Sequence, residues 1–164
     1  MSERTLILFR HAKSDWSGQE PDIDRPLAER GRRQAPRAGL WLAHNIDRID
    51  LAVVSPSNRT RSTWKLAAAE FDSPPPVRTD EGVYAASASQ LLGVVRALPD
   101  DAATVVLVGH NPGLEDFLSF LIGKRISLPT SAIAVIGLDG SWSNAGPSTG
   151  TLRASGRPPA KLPR

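Results

Sequence analysis

The chain of 164 residues carries 20 Lys and Arg against 17 Asp and Glu, a formal net charge of +3, and no cysteine. This length suits one domain with a single core, and the absence of cysteine excludes disulfides, thiolate chemistry and cysteine-built zinc sites. With 40% hydrophobic and 23% charged residues the composition is globular, and no run approaches the roughly 20 apolar residues of a membrane span.

In chain order, Met1-Ser2-Glu3-Arg4 has no signal-peptide pattern, so a cytoplasmic protein is expected. Residues 5–9 read as a buried strand that ends on Arg10-His11. A polar loop over 14–25 leads to a helix over 29–44, with Pro36 inside it as an expected kink. Residues 51–54 read as a second strand, followed by Ser55-Pro56-Ser57-Asn58-Arg59-Thr60 and a helix over 59–71 with an apolar stripe of Trp64, Ala67, Ala68 and Phe71. Asp72-Ser73-Pro74-Pro75-Pro76 breaks the chain. Ser87-Ala88-Ser89-Gln90 is a capping box for a helix reaching residue 98, closed by Pro99. A strand ending at Val108 precedes Gly109-His110-Asn111-Pro112, where Asn111 is placed to cap a helix that Gly123 ends. Residues 131–138 read as a further strand. One domain over 1–154 is expected, with a fraying basic, Pro-rich tail over 155–164.

The alternation of strands and helices predicts an α/β fold, a three-layer α/β/α sandwich around a mixed, mostly parallel sheet. In such sheets ligands bind beyond the carboxyl ends of the strands. Three strand ends then deliver His11, His110, Arg10 and Arg59 to one place. Histidine serves as a covalent nucleophile when one ring nitrogen attacks and the other holds a proton in a fixed hydrogen bond. Planar guanidinium forks bind phosphate oxygens bidentately, so Arg10 and Arg59 suit phosphate.

Five segments resemble the histidine phosphatase superfamily, and within it the SixA-like phosphohistidine phosphatases. They are Arg10-His11-Ala12-Lys13-Ser14, Asp24-Arg25-Pro26-Leu27 through Gly31, Ser55-Pro56 with Arg59, Val83-Tyr84-Ala85-Ala86, and Gly109-His110-Asn111-Pro112. The resemblance implies a phosphoglycerate mutase-like fold, His11 as nucleophile, His110 as its catalytic partner, and Arg10, Arg59 and His110 as phosphate ligands. No cofactor and no metal are expected, since three scattered histidines make a weak ligand set.

Two departures bear on substrate. The superfamily's usual Arg-His-Gly is here Arg10-His11-Ala12, and the carboxylate expected near Val83-Tyr84-Ala85-Ala86 is replaced by Ala85. Glu81 is the nearest candidate general acid. A positioned acid contributes roughly 10²–10⁴-fold when the leaving group is poor. Imidazole, with a pKa near ~6.5, leaves readily once protonated by solvent. The missing acid therefore favours a phosphohistidine-containing protein as substrate over a small phosphate ester. A non-catalytic phosphate-binding module would not need the nucleophile.

Ser14 and Trp16, on the loop after the nucleophile, are candidate substrate contacts; Arg25 is expected on the surface, and Arg61 on another helical face than Arg59. His44 near a helix end reads as structural. The run Arg30, Arg32, Arg33 and Arg37 reads as a solvated helix face. With 5% aromatic residues there are few platforms for stacking bases, so neither nucleic acid nor a membrane is an expected partner.

Overall fold

The computed structural model describes residues 3–160. Six strands, β1 (Glu3–Arg10), β2 (Leu51–Val54), β3 (Val77–Thr79), β4 (Thr104–Gly109), β5 (Ile133–Asp139) and β6 (Gly150–Gly156), form one sheet in the order β3-β2-β4-β1-β5-β6. The pairings β3–β2, β2–β4 and β4–β1 are parallel, and the pairings β1–β5 and β5–β6 are antiparallel, so β5 alone runs against the other strands. Four helices connect them: α1 (Glu29–Asn45), α2 (Asn58–Ala68), α3 (Ala88–Arg96) and α4 (Gly113–Ile122). The mixed sheet flanked by four helices is the expected α/β architecture.

The central strands read as unbroken apolar runs because both of their faces are covered. Successive side chains alternate between layers. Leu6 and Leu8 of β1 join Val105 and Leu107 of β4 against Leu91 and Val95 of α3 and Leu114, Phe117 and Leu118 of α4. Ile7 and Phe9 join Val106 and Val108 on the other side, against Ala38, Trp41 and Leu42 of α1 and Trp64 and Ala67 of α2. Two clusters on opposite faces of one sheet make the three layers.

Several boundaries differ from expectation. Helix α1 passes through Pro36 and continues to Asn45. Helix α2 stops at Ala68, three residues early, yet Phe71 still packs on Trp64 with ring centroids 5.9 Å apart. Helix α3 has the capping box of Ser87 and Gln90 and ends at Arg96. Helix α4 runs from Gly113 to Ile122 and is capped by Gly123, whose φ of 79° is left-handed. Asn111 lies before that start, and its side chain accepts from the Glu115 N–H at 3.2 Å.

Strand β6 was not legible, because Gly150-Thr151-Leu152-Arg153-Ala154 is a polar edge strand that pairs only with β5, across a bulge at Val135/Ile136. The boundary expected at residue 154 falls inside it, since β6 runs on through Ser155 to Gly156. The end of the expected tail, 161–164, lies outside the described residues. Among the described residues no helix is long and apolar enough to cross a membrane.

Candidate active site

Strand β1 delivers His11 to the sheet's carboxyl edge. Its N–H bonds the Gly109 carbonyl at 3.1 Å, and its carbonyl accepts from the Ser131 N–H at 3.0 Å. The ring Nδ1 lies 2.8 Å from the Ala12 carbonyl oxygen. A carbonyl only accepts, so Nδ1 carries the proton and Nε2 presents its lone pair. Burial pushes the His11 pKa down to about 4, opposed by the bond to Ala12 and reinforced by the charges of Arg59, Arg10 and Arg25. The imidazole is neutral at pH 7, which is the nucleophilic form.

The segment after His11 is clamped from two helices. The Ala12 N–H donates to Thr63 Oγ1 of α2 at 3.0 Å, and the Lys13 N–H donates to Gln34 Oε1 of α1 at 2.9 Å. A Cβ on Gly31 would lie 2.1 Å from the Lys13 carbonyl oxygen, so only glycine lets α1 approach. The departure from Arg-His-Gly is absorbed here, since Ala12 is fully buried against Leu27 and Ala35.

A cavity of about 270 Å³ brings His11, Arg10, Arg59 and His110 together. The two imidazoles lie with ring centroids 5.3 Å apart. Arg10 donates from Nη1 to the Leu128 carbonyl at 3.0 Å, which fixes its fork from behind. His110 Nε2 sits 2.8 Å from Ser55 Oγ, while its buried Nδ1 has no partner among the described residues. Burial lowers the His110 pKa to about 3, reinforced by the neighbouring His11 and the Arg59 charge and opposed by Asp22. A neutral His110 still donates one N–H, and Ser55 is the group that sets which nitrogen holds it. The sequence motif contains Ser55, but nothing in it announces this role.

Arg25 and Asp22 also line the cavity, and Tyr84 stands behind Asp22 and His110. Arg25 is buried, not on the surface as expected: it donates to the Ser14 hydroxyl, pairs with Asp22 at 3.1 Å, and stacks over the exposed Trp16 ring at 3.6 Å. Asp22, in a single 3-10 turn (Asp22–Asp24), holds Arg59 through its main-chain carbonyl at 2.7 Å and its carboxylate at 3.0 Å. Tyr84 donates its hydroxyl to the same carboxylate at 2.5 Å and lies edge-on to His110, with ring centroids 5.5 Å apart. The bond from Tyr84, followed by those from Arg25 and Arg59, holds the Asp22 carboxyl well below the usual carboxylate range. The same bond raises the Tyr84 pKa.

Sequence reasoning missed Asp22 and Tyr84 as site groups. Both stand in or beside matched segments, but neither lies on a periodic face that would aim it. Ser14 and Trp16, the candidate substrate contacts, both line the cavity. Glu81 does not: it is exposed in a separate 3-10 turn (Glu81–Val83) and is not among the lining residues. The Tyr84 N–H closes that turn on the Glu81 carbonyl at 3.1 Å. Arg61 is exposed and donates to the Pro56 carbonyl at 2.9 Å, outside the cavity.

Residues 6–97 match the model of the histidine phosphatase superfamily (branch 1). An uncharacterised protein of Mycobacterium tuberculosis is 34% identical over 155 residues, covering 88% of this chain and 96% of its own. Among solved structures, a candidate phosphohistidine phosphatase SixA from Nakamurella multipartitia superposes with a TM-score of 0.85 at 28% identity, over 98% of this chain and 99% of that one. A second candidate SixA, from Agrobacterium tumefaciens, gives 0.80 at 28% identity, over 93% and 96%. At 15% identity the fold alone extends to a mycobacterial glucosyl-3-phosphoglycerate phosphatase, with a TM-score of 0.67 over 92% and 97%.

Proposed function

The chain belongs to the histidine phosphatase superfamily, in its SixA-like branch, and on that footing we propose that it removes phosphate from phosphohistidine on a protein. His11 Nε2 attacks phosphorus, the bond from phosphorus to the substrate imidazole breaks, and phosphate passes to His11. Water then attacks the phosphorus of phospho-His11 and releases inorganic phosphate. Arg10 and Arg59 hold the equatorial oxygens, where charge spreads in the transition state, and His110 adds a third donor through Nδ1 when Ser55 donates to its Nε2. No metal is needed in this scheme; among the described residues no three His, Cys, Asp or Glu side chains cluster as ligands would.

The observation that carries the substrate class is the state of the carboxylates. Glu81 stands outside the cavity, and Asp22 inside it is kept ionised by Tyr84, Arg25 and Arg59. Neither offers a proton to a departing alkoxide. A departing imidazole takes its proton from solvent and needs no such group. Turnover of a phosphohistidine peptide against the matching phosphoserine peptide tests this. We expect the first to be hydrolysed and the second to be inert; comparable turnover of both would overturn the reading.

A second reading rests on Asp22. Substrate phosphate that displaces it from Arg59 would remove one of the bonds that keep it ionised, and the freed carboxyl would then serve as acid for a small phosphate ester. An Asp22→Asn chain separates the two readings, since only the second needs this carboxyl for turnover.

A further inference from the structure

A second cavity, of about 310 Å³, opens on the far side of the nucleophile segment. Arg30, Arg33 and Arg37 reach it from α1 at spacings of three and four residues, which places them on one helical face. Arg157 and Ser131 close it from beyond β6 and from the approach to β5. Arg30, Arg33 and Arg37 are exposed, as the solvated face expected from their run would be, and together they wall one side of the recess. No acidic side chain lines the cavity, and the ion pair of Arg33 with Glu29, at 3.1 Å, lies largely in solvent. Arg30, Arg37 and Arg157 have no ion pair among the described residues.

Four exposed guanidiniums around one recess make a local positive field that draws an anion, strongest at low salt. Ser131 adds a neutral donor: it is 1% exposed, its hydroxyl has no partner among the described residues, and its backbone is held in the left-handed region at φ 64°. Buried polar groups are otherwise nearly always bonded, and non-glycine residues in this region are held there by their surroundings.

We propose that this cavity is a second anion site, built for the oligophosphate group of a small molecule. Guanidinium forks match phosphate oxygens in pairs. A phosphate chain brings several charges into one recess, whereas acidic residues on a peptide are separated by roughly 3.3 Å of backbone per residue. The site adjoins the catalytic one. Ser131 N–H bonds the His11 carbonyl, Gln34 bonds the Lys13 N–H, and Arg157 adds to the lowering of the Arg10 pKa that burial begins and Glu115 opposes. A ligand here leans on both flanks of the nucleophile.

Calorimetric titration of inorganic tripolyphosphate into an Arg59→Ala chain, in which the catalytic anion site is weakened, reads this site independently of turnover. One equivalent should bind. Adding Arg30→Ala and Arg37→Ala should weaken it roughly tenfold or more, while adding Arg61→Ala and Arg78→Ala should not. With Arg59 intact, Arg30→Ala/Arg37→Ala should keep its kcat/KM on an aryl phosphate. No binding, equal loss in the two double substitutions, or equal binding of a Glu-rich peptide would overturn the proposal.

Discussion

Asp22 occupies both terminal nitrogens of Arg59, its carbonyl oxygen 2.7 Å from Nη1 and its carboxylate 3.0 Å from Nη2. These are the donors that a phosphoryl group would engage, so substrate and Asp22 compete for one fork. The Asp22 side chain is 51% exposed, and a half-exposed ion pair contributes about 0.2–1 kcal/mol. Asp22→Asn should therefore tighten inhibition by tungstate or inorganic phosphate by about two- to fivefold. Phosphohistidine turnover should change less than about threefold, because the leaving imidazole needs no protein acid. A large loss of kcat on esters in this variant, with inhibitor binding unchanged, would make Asp22 the acid and favour the ester reading.

His11 should carry the covalent phosphate. Its Nδ1 is committed to the Ala12 carbonyl, so Nε2 alone is free to attack. Rapid quench with labelled substrate should trap an acid-labile phosphoenzyme, and His11→Ala should lose the label. Label surviving in that variant would move the nucleophile elsewhere.

Burial holds both site histidines below their ordinary range, His11 to about 4 and His110 to about 3. Between these values and about 6.5 the unfolded chain binds protons that the folded chain refuses. Stability should thus fall as pH drops from about 6.5 towards 4, and be insensitive to these groups above about 7. The imidazole C2–H resonance of His11 should titrate near pH 4. A midpoint near 6.5 would mean that the ring is open to water and the cavity wetter than its walls imply.

The strand ends were legible because buried parallel strands announce themselves as apolar runs, and the residue that follows each run is carried to the sheet's edge. Arg10, His11 and His110 follow such runs, while Arg59 follows a capped helix start at Ser57. The groups that close over them were not legible. Asp22, Arg25 and Tyr84 sit on loops, where side-chain direction depends on non-local partners: Arg25 is drawn inward by Ser14, Asp22 and the Trp16 face. The edge strands β3 and β6 were illegible for the same reason, lacking a two-sided burial that would pattern them.

The two arginines of α2 should separate cleanly. Arg59 is buried with both ends of its fork directed to the cavity mouth, and Arg61 is exposed on the Pro56 carbonyl. Arg59→Lys keeps the charge and loses the fork, so kcat/KM should fall roughly tenfold or more, at least about 1.4 kcal/mol of transition-state binding. Arg61→Lys should do little. Equal effects would show that the phosphate arginine has been misassigned.

Leaving-group chemistry offers the sharpest test of substrate class. The resemblance implies that Ala85 takes the position of the ester phosphatases' acid, and Glu81, four residues earlier, is exposed and not among the residues lining the cavity. Without a proton donor, negative charge on a departing oxygen stays uncompensated in the transition state. Across a series of aryl phosphates the rate should therefore rise steeply as the leaving group's pKa falls, and alkyl phosphates should be cleaved hardly at all. Phosphoramidate and phosphohistidine escape this dependence, because solvent protonates the nitrogen. Glu81→Gln should leave phosphohistidine hydrolysis nearly unchanged, as befits an exposed side chain outside the cavity. A flat dependence on leaving-group pKa, lost on Asp22→Asn, would place a working acid at the mouth of the site, and the ester-phosphatase reading would replace the one proposed.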